Sequence, residues 1–434
     1  MEYEPLISLC CFSGMIIMVL VGVPIFICLL STAFVGLWLI AGLKAALTYF
    51  TSAPYYLTSQ YTFAILPLFL LMGVLAGDSG IAQGSYKAAV KWLGRIRGAL
   101  LMATIGGAAA FSAASSSNVA TAALFTKLAL PELEKHHFDR RLSMGCIAGA
   151  SGLDALIPPS NIAVIICFLT PISIGKLLVA GIIPGILVAT ALVICILVLG
   201  IINPKAIPKV SAGPVSWKEK VLSLGEVWPI LCLFLLVIGG IYLGWFAPTS
   251  GGAVGAFGAL VYAMYRRVGV KRILLSFVET VSVNATIFPI VIGGILFSRF
   301  LSLSGLVKVT MDAISSFGVP PLLLMAIFVL IYLFLGCVMD PTSMLVVTVP
   351  FFMPIMTGAG FDPIALGLIL IVLVSIAGLT PPIGMQIFVV AAVAGVDPKE
   401  VLRGVLPFFF TYLIMLWILI LFPKIITWLP NLAF

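Results

Sequence analysis

Two carboxylates, Asp154 and Asp340, lie inside otherwise apolar stretches, each beside helix breakers and oxygen-bearing side chains. Asp154-Ala155-Leu156-Ile157 runs into Pro158-Pro159-Ser160-Asn161, and Asp340 opens Pro341-Thr342-Ser343. Two further runs complete the set, Ser115-Ser116-Ser117-Asn118 and Gly378-Leu379-Thr380-Pro381-Pro382-Ile383-Gly384. Paired prolines remove backbone donors, so nearby carbonyls lose their intrahelical partners and, at membrane depth, need a buried or hydrated one. A cation supplies it, and hydroxyl, amide and carboxylate oxygens are the ligands a hard cation prefers. A charge at the bilayer centre costs a few kcal/mol or more and marks function. The residues leave Asp154 as a cation ligand, a proton carrier or a structural hydrogen-bonding group, and Asp340 as a sodium ligand or a cap for the helix that follows.

Such a site needs a membrane scaffold, and composition supplies one. The chain has 434 residues, of which 62% are hydrophobic and 9% charged, with a mean hydropathy of +1.27. Soluble domains carry about a quarter charged residues, so this is a polytopic membrane protein. No Gly-x-x-x-x-Gly-Lys-Ser/Thr run exists, which excludes a nucleotide motor of that kind. The eight cysteines show no Cys-x-x-Cys spacing and read as small core residues. His136 and His137 are adjacent, do not share a helix face and read as exposed loop residues rather than a metal site. Met1-Glu2-Tyr3-Glu4-Pro5 lacks the basic flank of a signal peptide, so the first apolar segment is expected to stay.

Full crossings are expected near 6–22, 25–41, 61–77, 143–170, 176–201, 226–246, 253–265, 281–300, 364–395 and 401–422. With both termini outside, 18 of the 23 basic residues, Lys87 and Arg140 among them, fall on one face, which the positive-inside rule makes cytoplasmic. The net charge of +8 is therefore topology and not a nucleic-acid surface. Between crossings, Tyr49 to Tyr61 reads as a polar loop, and Ile81 to Arg97 as a helix lying at the lipid interface. Residues 98–130 and 319–356 each read as two arms of about a dozen residues around a polar tip, too short to cross and suited to a re-entrant hairpin. Residues 301–316 look interfacial, and Trp417 and Trp428 fit an aromatic belt.

Adding 223 to Pro131, Asp139, Pro158, Pro159 and Pro184 gives Pro354, Asp362, Pro381, Pro382 and Pro407, five identities without a gap. The chain thus divides into a first repeat (1–202), a linker (203–220) rich in proline and lysine, and a second repeat (221–434). Broken spans lie at 143–170 and 364–395. An odd number of crossings per repeat inverts the second relative to the first. The predicted fold is an all-α polytopic membrane protein with two inverted-topology repeats, each holding a re-entrant hairpin and a broken transmembrane helix. Residues 115–118, 152–161, 340–343 and 378–384 would line one enclosed volume near the midplane, with half-helix ends aimed at it.

These features resemble the large membrane subunit of tripartite ATP-independent periplasmic (TRAP) transporters, the DctM-like family. The resemblance is carried by Ser115-Ser116-Ser117-Asn118-Val119-Ala120-Thr121, Leu156-Ile157-Pro158-Pro159-Ser160, Ala180-Gly181-Ile182-Ile183-Pro184-Gly185, Gly360-Phe361-Asp362-Pro363, Leu379-Thr380-Pro381-Pro382-Ile383-Gly384 and Val405-Leu406-Pro407-Phe408, in order along nearly the whole chain. It implies a sodium-driven importer of organic acids (dicarboxylates, sialic acids or sugar acids) in a bacterial inner membrane, with an elevator-type fold and motion and Na+ as coupling ion in place of any cofactor. The implied partners are a small four-helix membrane subunit, a periplasmic substrate-binding protein and membrane lipid.

By motif, the resemblance assigns one sodium site to Ser115, Ser117 and Asn118 with backbone from Gly152 to Pro158, and a second to Asp340 and Thr342 with backbone at Gly378 and Thr380. Substrate would lie between them, at Ser116, Asp154, Ser160, Asn161, Ser343, Pro382 and Gly384. The chain departs from the family pattern where Asp154-Ala155 replaces Gly-Pro and where Ala377 replaces a glycine. Rival readings are a stand-alone sodium-coupled carboxylate symporter of related hairpin fold, a channel, and an intramembrane aspartyl protease. The Gly-x-Gly-Asp setting of the last is absent.

Overall fold

A computed structural model describes residues 4–93, 96–208, 216–381 and 384–433. Met1, Glu2, Tyr3, Arg95, Pro382, Ile383 and residues 209–215 of the linker lie outside the described residues. Every described regular element is a helix.

In the first half, α1 (Glu4–Leu20) and α2 (Ile25–Ala41) part at Gly22, whose φ of +90° needs a residue without Cβ, and at Pro24. Next comes α3 (Leu43–Ser59), where the sequence pointed to a polar loop. Ala46, Phe50, Ala53 and Leu57 recur at helical spacing and face the core. Thr48, Thr51, Ser52 and Thr58 each return their hydroxyl to the carbonyl four residues back. The polar composition is thus absorbed inside a helix.

A short turn of tighter helix leads into α4 (Ile65–Asp78), followed by α5 (Ile81–Leu93), an amphipathic helix whose buried face includes Ile81, Ser85 and Tyr86. Then come α6 (Ala99–Ser115) and α7 (Asn118–Lys135), which reverse at Ser116. The first broken span comprises α8 (Arg140–Ser151), α9 (Leu153–Leu156) and α10 (Asn161–Leu169), bent by 46° at its break. Two further helices, α11 (Ile174–Ala180) and α12 (Ile182–Ile202), close the half.

The second half opens with α13 (Trp217–Phe234) and α14 (Gly240–Tyr242), joined through a wider helical turn at Leu235–Gly239, then α15 (Pro248–Tyr265) and the long α16 (Val270–Leu303). After α17 (Leu306–Ser316) come the hairpin arms α18 (Pro321–Gly336) and α19 (Pro341–Gly358). The chain ends with α20 (Pro363–Ala377), α21 (Met385–Ala394), α22 (Pro398–Leu421) and α23 (Lys424–Ala433).

The shift of 223 aligns helices as well as prolines. It carries α2 onto 248–264 against α15, α5 onto 304–316 against α17, and α7 onto 341–358, the bounds of α19. The run of α3 and α4, 43–78, falls on 266–301, where the second half has the single helix α16. The hairpin arms run 16 to 18 residues, longer than expected, and in α7 and α19 Pro131 and Pro354 sit inside the helix without ending it. Among the described residues six helices are long and apolar enough to cross a membrane, α19 among them although its segment was expected to be too short, and the bent pair of α8 to α10 adds a seventh. α1 and α2, of 17 residues each, lie at the lower limit for a span.

The two halves interlock. α7 packs on α21 and α19 packs on α10, so each hairpin lies against the broken helix of the other half. α20 meets α9, and the Ser375 hydroxyl donates to the Gly152 carbonyl at 3.1 Å. α8 and α22 approach so closely at Gly145 and Gly404 that a Cβ on Gly145 would collide with the Gly404 carbonyl. Residues 203–208 are fastened to the inner bundle: Arg97 donates to the carbonyls of Ile207 and Pro204, and the Asp139 amide to that of Ala206.

Candidate functional site

Four helices begin at one place because four breaks converge there. The first hairpin turns at Ser116, held in the left-handed region with φ +62°, and α7 starts under Ser117, whose Oγ accepts from the Ala120 amide at 3.3 Å. Behind the tip sits Asp154, 1% exposed. Its Oδ2 accepts from Thr121 Oγ1 at 2.8 Å and Ser115 Oγ at 3.1 Å, while its Oδ1 is buried without a partner. The tip is tied to the break of the first span: Ser116 Oγ donates to the Pro159 carbonyl at 2.7 Å, and Asn161 Nδ2 to the Ser116 carbonyl at 3.4 Å. Ser160 caps α10 through the Ala163 amide, and Asn161 Oδ1 is buried and unpartnered.

In the second half Asp340 caps α19, its Oδ2 accepting from the Ser343 amide at 3.1 Å, and Ser343 Oγ is buried with no partner. Cys337, at the end of α18, donates its thiol to the Pro381 carbonyl. This ties the second tip to the second break, as Ser116 and Pro159 do for the first.

Between the tips lies a cavity of about 520 Å³. Its polar wall is Ser116, Ser117, Asn118, Asn161, Asp340, Thr342, the backbone at Gly378, and Gln386. Val283, Thr286, Ile287 and Ile290 of α16 close the other side. No lysine, arginine or histidine lines it among the described residues. The cavity therefore offers amides, hydroxyls, one carboxylate and four helix N-termini, each carrying about half a positive charge.

The expected site residues divide accordingly. Ser116, Ser117, Asn118, Asn161, Asp340, Thr342 and Gly378 line the cavity together. Ser115 and Asp154 stand behind the first tip, joined to it because Ser115 Oγ accepts from the Ser117 amide. Gly152 faces Tyr412 and gives its carbonyl to Ser375. Pro158 opens instead on a separate, largely apolar pocket with α6, α12 and α13. Ser160 is spent as a cap, and Thr380 turns its hydroxyl back to the Ile376 carbonyl at 2.8 Å. Ser343 is buried behind Asp340, and Gly384 forms the start of α21, where a Cβ would come within 2.9 Å of the Gly378 carbonyl. Pro382 is outside the described residues.

Three polar groups at the site were not assigned to it from sequence: Thr121, named only as the end of a motif, Thr286 and Gln386. Thr121 lies one helical turn beyond the Ser/Asn tip, and Gln386 is the one polar side chain of Met385–Ala394, two residues past Gly384. Each carried that signal. Thr286 carries none, because its place depends on how α16 meets the hairpins.

Solved structures share this fold. The Alcanivorax borkumensis YdaH transporter matches with a TM-score of 0.62 at 16% identity, covering 88% of this chain and 90% of that one. Neisseria gonorrhoeae MtrF matches at 0.62 and 14%, covering 96% and 95%. The class is thus a polytopic, all-helical membrane protein with the fold of these two chains. Residues 12–425 match the family "Tripartite ATP-independent periplasmic transporter, DctM component", and the chain belongs to it. It is 30% identical to the C4-dicarboxylate TRAP transporter large permease protein DctM of Vibrio cholerae, over 96% of this chain and 95% of that one. The sialic acid TRAP transporter large permease protein SiaM of the same organism is 30% identical, over 86% and 87%. The ectoine/5-hydroxyectoine permease UehC of Ruegeria pomeroyi is 29% identical, over 98% of both chains. The chain is therefore a large permease subunit of a tripartite system and not an enzyme, which sets aside the stand-alone symporter, channel and protease readings.

Proposed function

We propose that this subunit imports an organic acid, of the dicarboxylate, sialic acid or sugar-acid kind, by sodium symport. It takes substrate from a periplasmic binding protein and works beside a small four-helix membrane subunit, in a bacterial inner membrane with both termini periplasmic. The observation that carries this reading is the cavity between the two hairpin tips and two broken helices, with Asn161 in its wall and buried, unpartnered oxygens at Asn161 Oδ1 and, behind the two tips, at Asp154 Oδ1 and Ser343 Oγ. Unpaired buried oxygens cost free energy, and a dehydrated cation gives them a partner. One sodium ion would sit by Ser115, Ser117 and Asn118 with the break at Gly152 to Pro158, and another by Asp340 and Thr342 with the carbonyls at Gly378 and Thr380. Substrate would bridge them.

An elevator motion is supported by how the walls divide. The interlocked hairpins and broken helices form one wall and α16 the other; α16 packs on α2 and α4 and meets the first wall along α19 and α10. Sliding one wall past the other would carry the cavity across the bilayer without dismantling it.

The test is uptake into proteoliposomes holding both membrane subunits, with the binding protein and labelled acid outside and an inward sodium gradient. Uptake should need the gradient and the binding protein, and should fall by at least about tenfold in Ser117→Ala or Asp340→Ala protein that still assembles. Uptake without the binding protein would defeat the tripartite delivery. Uptake driven by a proton gradient alone would defeat sodium coupling and turn attention to Asp154.

A further inference from the structure

Helices α4 and α16 hold corresponding places in the two repeats, since the shift of 223 lays 43–78 on 266–301. Each meets a hairpin at a glycine. In α4 it is Gly73, where a Cβ would collide with the Ser115 carbonyl and lie 2.9 Å from the Ser115 Cα. In α16 it is Gly294, where a Cβ would collide with the Val346 side chain of α19. The shift sets Gly73 opposite Leu296, two residues from Gly294. Glycine weakens a helix interior, so its presence at both places has a cause outside the helix.

The two contacts differ in what could give way. The Val346 side chain can turn, but the Ser115 peptide is backbone, in a tip whose next residue, Ser116, is held at φ +62° and tied to the Pro159 carbonyl. Other glycines press as closely on backbone, Gly145 on Gly404 and Gly181 on the Leu156 carbonyl. Those contacts join α8 to α22 and α9 to the start of α12, so both tie a broken span to its own neighbours. Gly73 is different, because α4 packs chiefly on α15 and α16 and meets the hairpin and broken-span bundle at α6 and α10. Its contact therefore crosses from one wall of the cavity to the other. It also lies at the cavity's rim, since Leu70, one turn before Gly73, and Ser116, the residue after Ser115, both line the cavity.

We propose that Gly73 is the seat of the first hairpin tip, a positioning residue that lets the Ser115 peptide rest directly on α4 in the state described here and that the tip leaves when the bundle moves. A Cβ at this place acts on one state only. In the seated state neither backbone can step aside, whereas once the tip has left, the same methyl group stands clear, and alanine is the better helix former throughout. The glycine thus sets where the hairpin stops and how much of the protein occupies this state. This assignment rests on the elevator motion proposed above.

Gly73→Ala tests it in the purified two-subunit complex, in a cysteine-free background with spin labels at Ser59→Cys on α3, which packs on α2 and α16, and at Lys135→Cys at the end of α7. The distance between the labels is measured by pulsed electron resonance with and without sodium. Wild type should show two distances, one of them that of the structure described here, and Gly73→Ala should deplete that one relative to the other by about tenfold or more. Gly77→Ala is the control: one turn further along α4 its Cβ would meet only the Phe111 ring, at 3.6 Å, and its distances should match wild type. Equal populations in wild type and Gly73→Ala overturn the proposal. So does an equal depletion in Gly77→Ala, which would make the effect one of helix α4 as a whole and not of the seat. A Gly73→Ala complex that fails to assemble also overturns it, since the contact is then a permanent part of the fold. A single wild-type distance in both conditions ends the elevator reading and this assignment with it, an outcome read without any variant at Gly73.

Discussion

Asp154 holds two hydroxyls on one oxygen and leaves the other oxygen bare, and both facts bear on what substitutions will do. Asp154→Ala removes the shared acceptor of Ser115 and Thr121, whose hydroxyls lie 3.2 Å apart so that only one of them can donate to the other, and should cost about 1–3 kcal/mol, measured by denaturant unfolding of the purified subunit pair. Asp154→Asn keeps an acceptor for the hydroxyls and removes only the charge, so its stability should lie close to wild type. If the bare oxygen serves the coupling cation, that same variant should still fold yet lose the sodium stimulation of uptake. Equal sodium dependence in both proteins would make Asp154 a structural anchor for the hairpin. At Asp340 the geometry is simpler, and Asp340→Ala should cost about 0.5–2 kcal/mol as a lost helix cap. The tip residues were legible in sequence because Ser115 to Asn118 and Asp340 to Ser343 interrupt apolar runs. Gln386 was less visible, since one polar residue in an apolar helix is ordinary until it is seen to be buried and unpaired beside a cavity.

Among the elements, packing at small residues decides what can be tolerated. A Cβ at Gly145 would run into the Gly404 backbone, where α8 meets α22, and neither helix can move aside without parting the broken span from its neighbour. Gly145→Leu should therefore destabilise by more than the roughly 1–3 kcal/mol of ordinary overpacking, seen as loss of monodisperse protein on size exclusion, while Gly225→Ala, where nothing lies within 4 Å, should behave as wild type. Broken spans and hairpins were legible at this scale because Pro-Pro and Ser/Asn runs are strong local signals. Helix α3 was not. Its residues from Tyr49 to Ser59 are polar by composition, and only the stripe of Ala46, Phe50, Ala53 and Leu57 against the core makes them a helix.

For the whole molecule, the placement of basic residues makes a prediction about sidedness. In a cysteine-free background, Ser59→Cys should react with a membrane-impermeant maleimide in intact spheroplasts, whereas Lys135→Cys should react only after permeabilisation. Both positions are exposed. The reverse pattern would place the termini and the dense basic loops on the sides opposite to those proposed. The interlocking of α7 with α21 and of α19 with α10 gives the hairpins and broken helices a shared fate, so a disulfide between the two halves inside that bundle should leave transport intact. One that joins the bundle to α16 should arrest it in the elevator motion proposed here.

Sequence alone determined that this chain lives in a membrane, that it is built from a repeated plan and that its chemistry lies at four polar breaks. These follow from composition, from identities at a fixed spacing and from the need of every backbone group in lipid for a partner. Tertiary structure decided which breaks share a cavity, that Thr380 and Ser160 spend their hydroxyls on their own helices, and that Pro158 opens elsewhere. It also decided that one helix start of four, that of α21, is capped by a backbone carbonyl, Gly378, where the others use side chains. Spacing along a chain fixes residue types, but only the packing of helices from both halves fixes which side chain finds a partner and which is left facing the substrate.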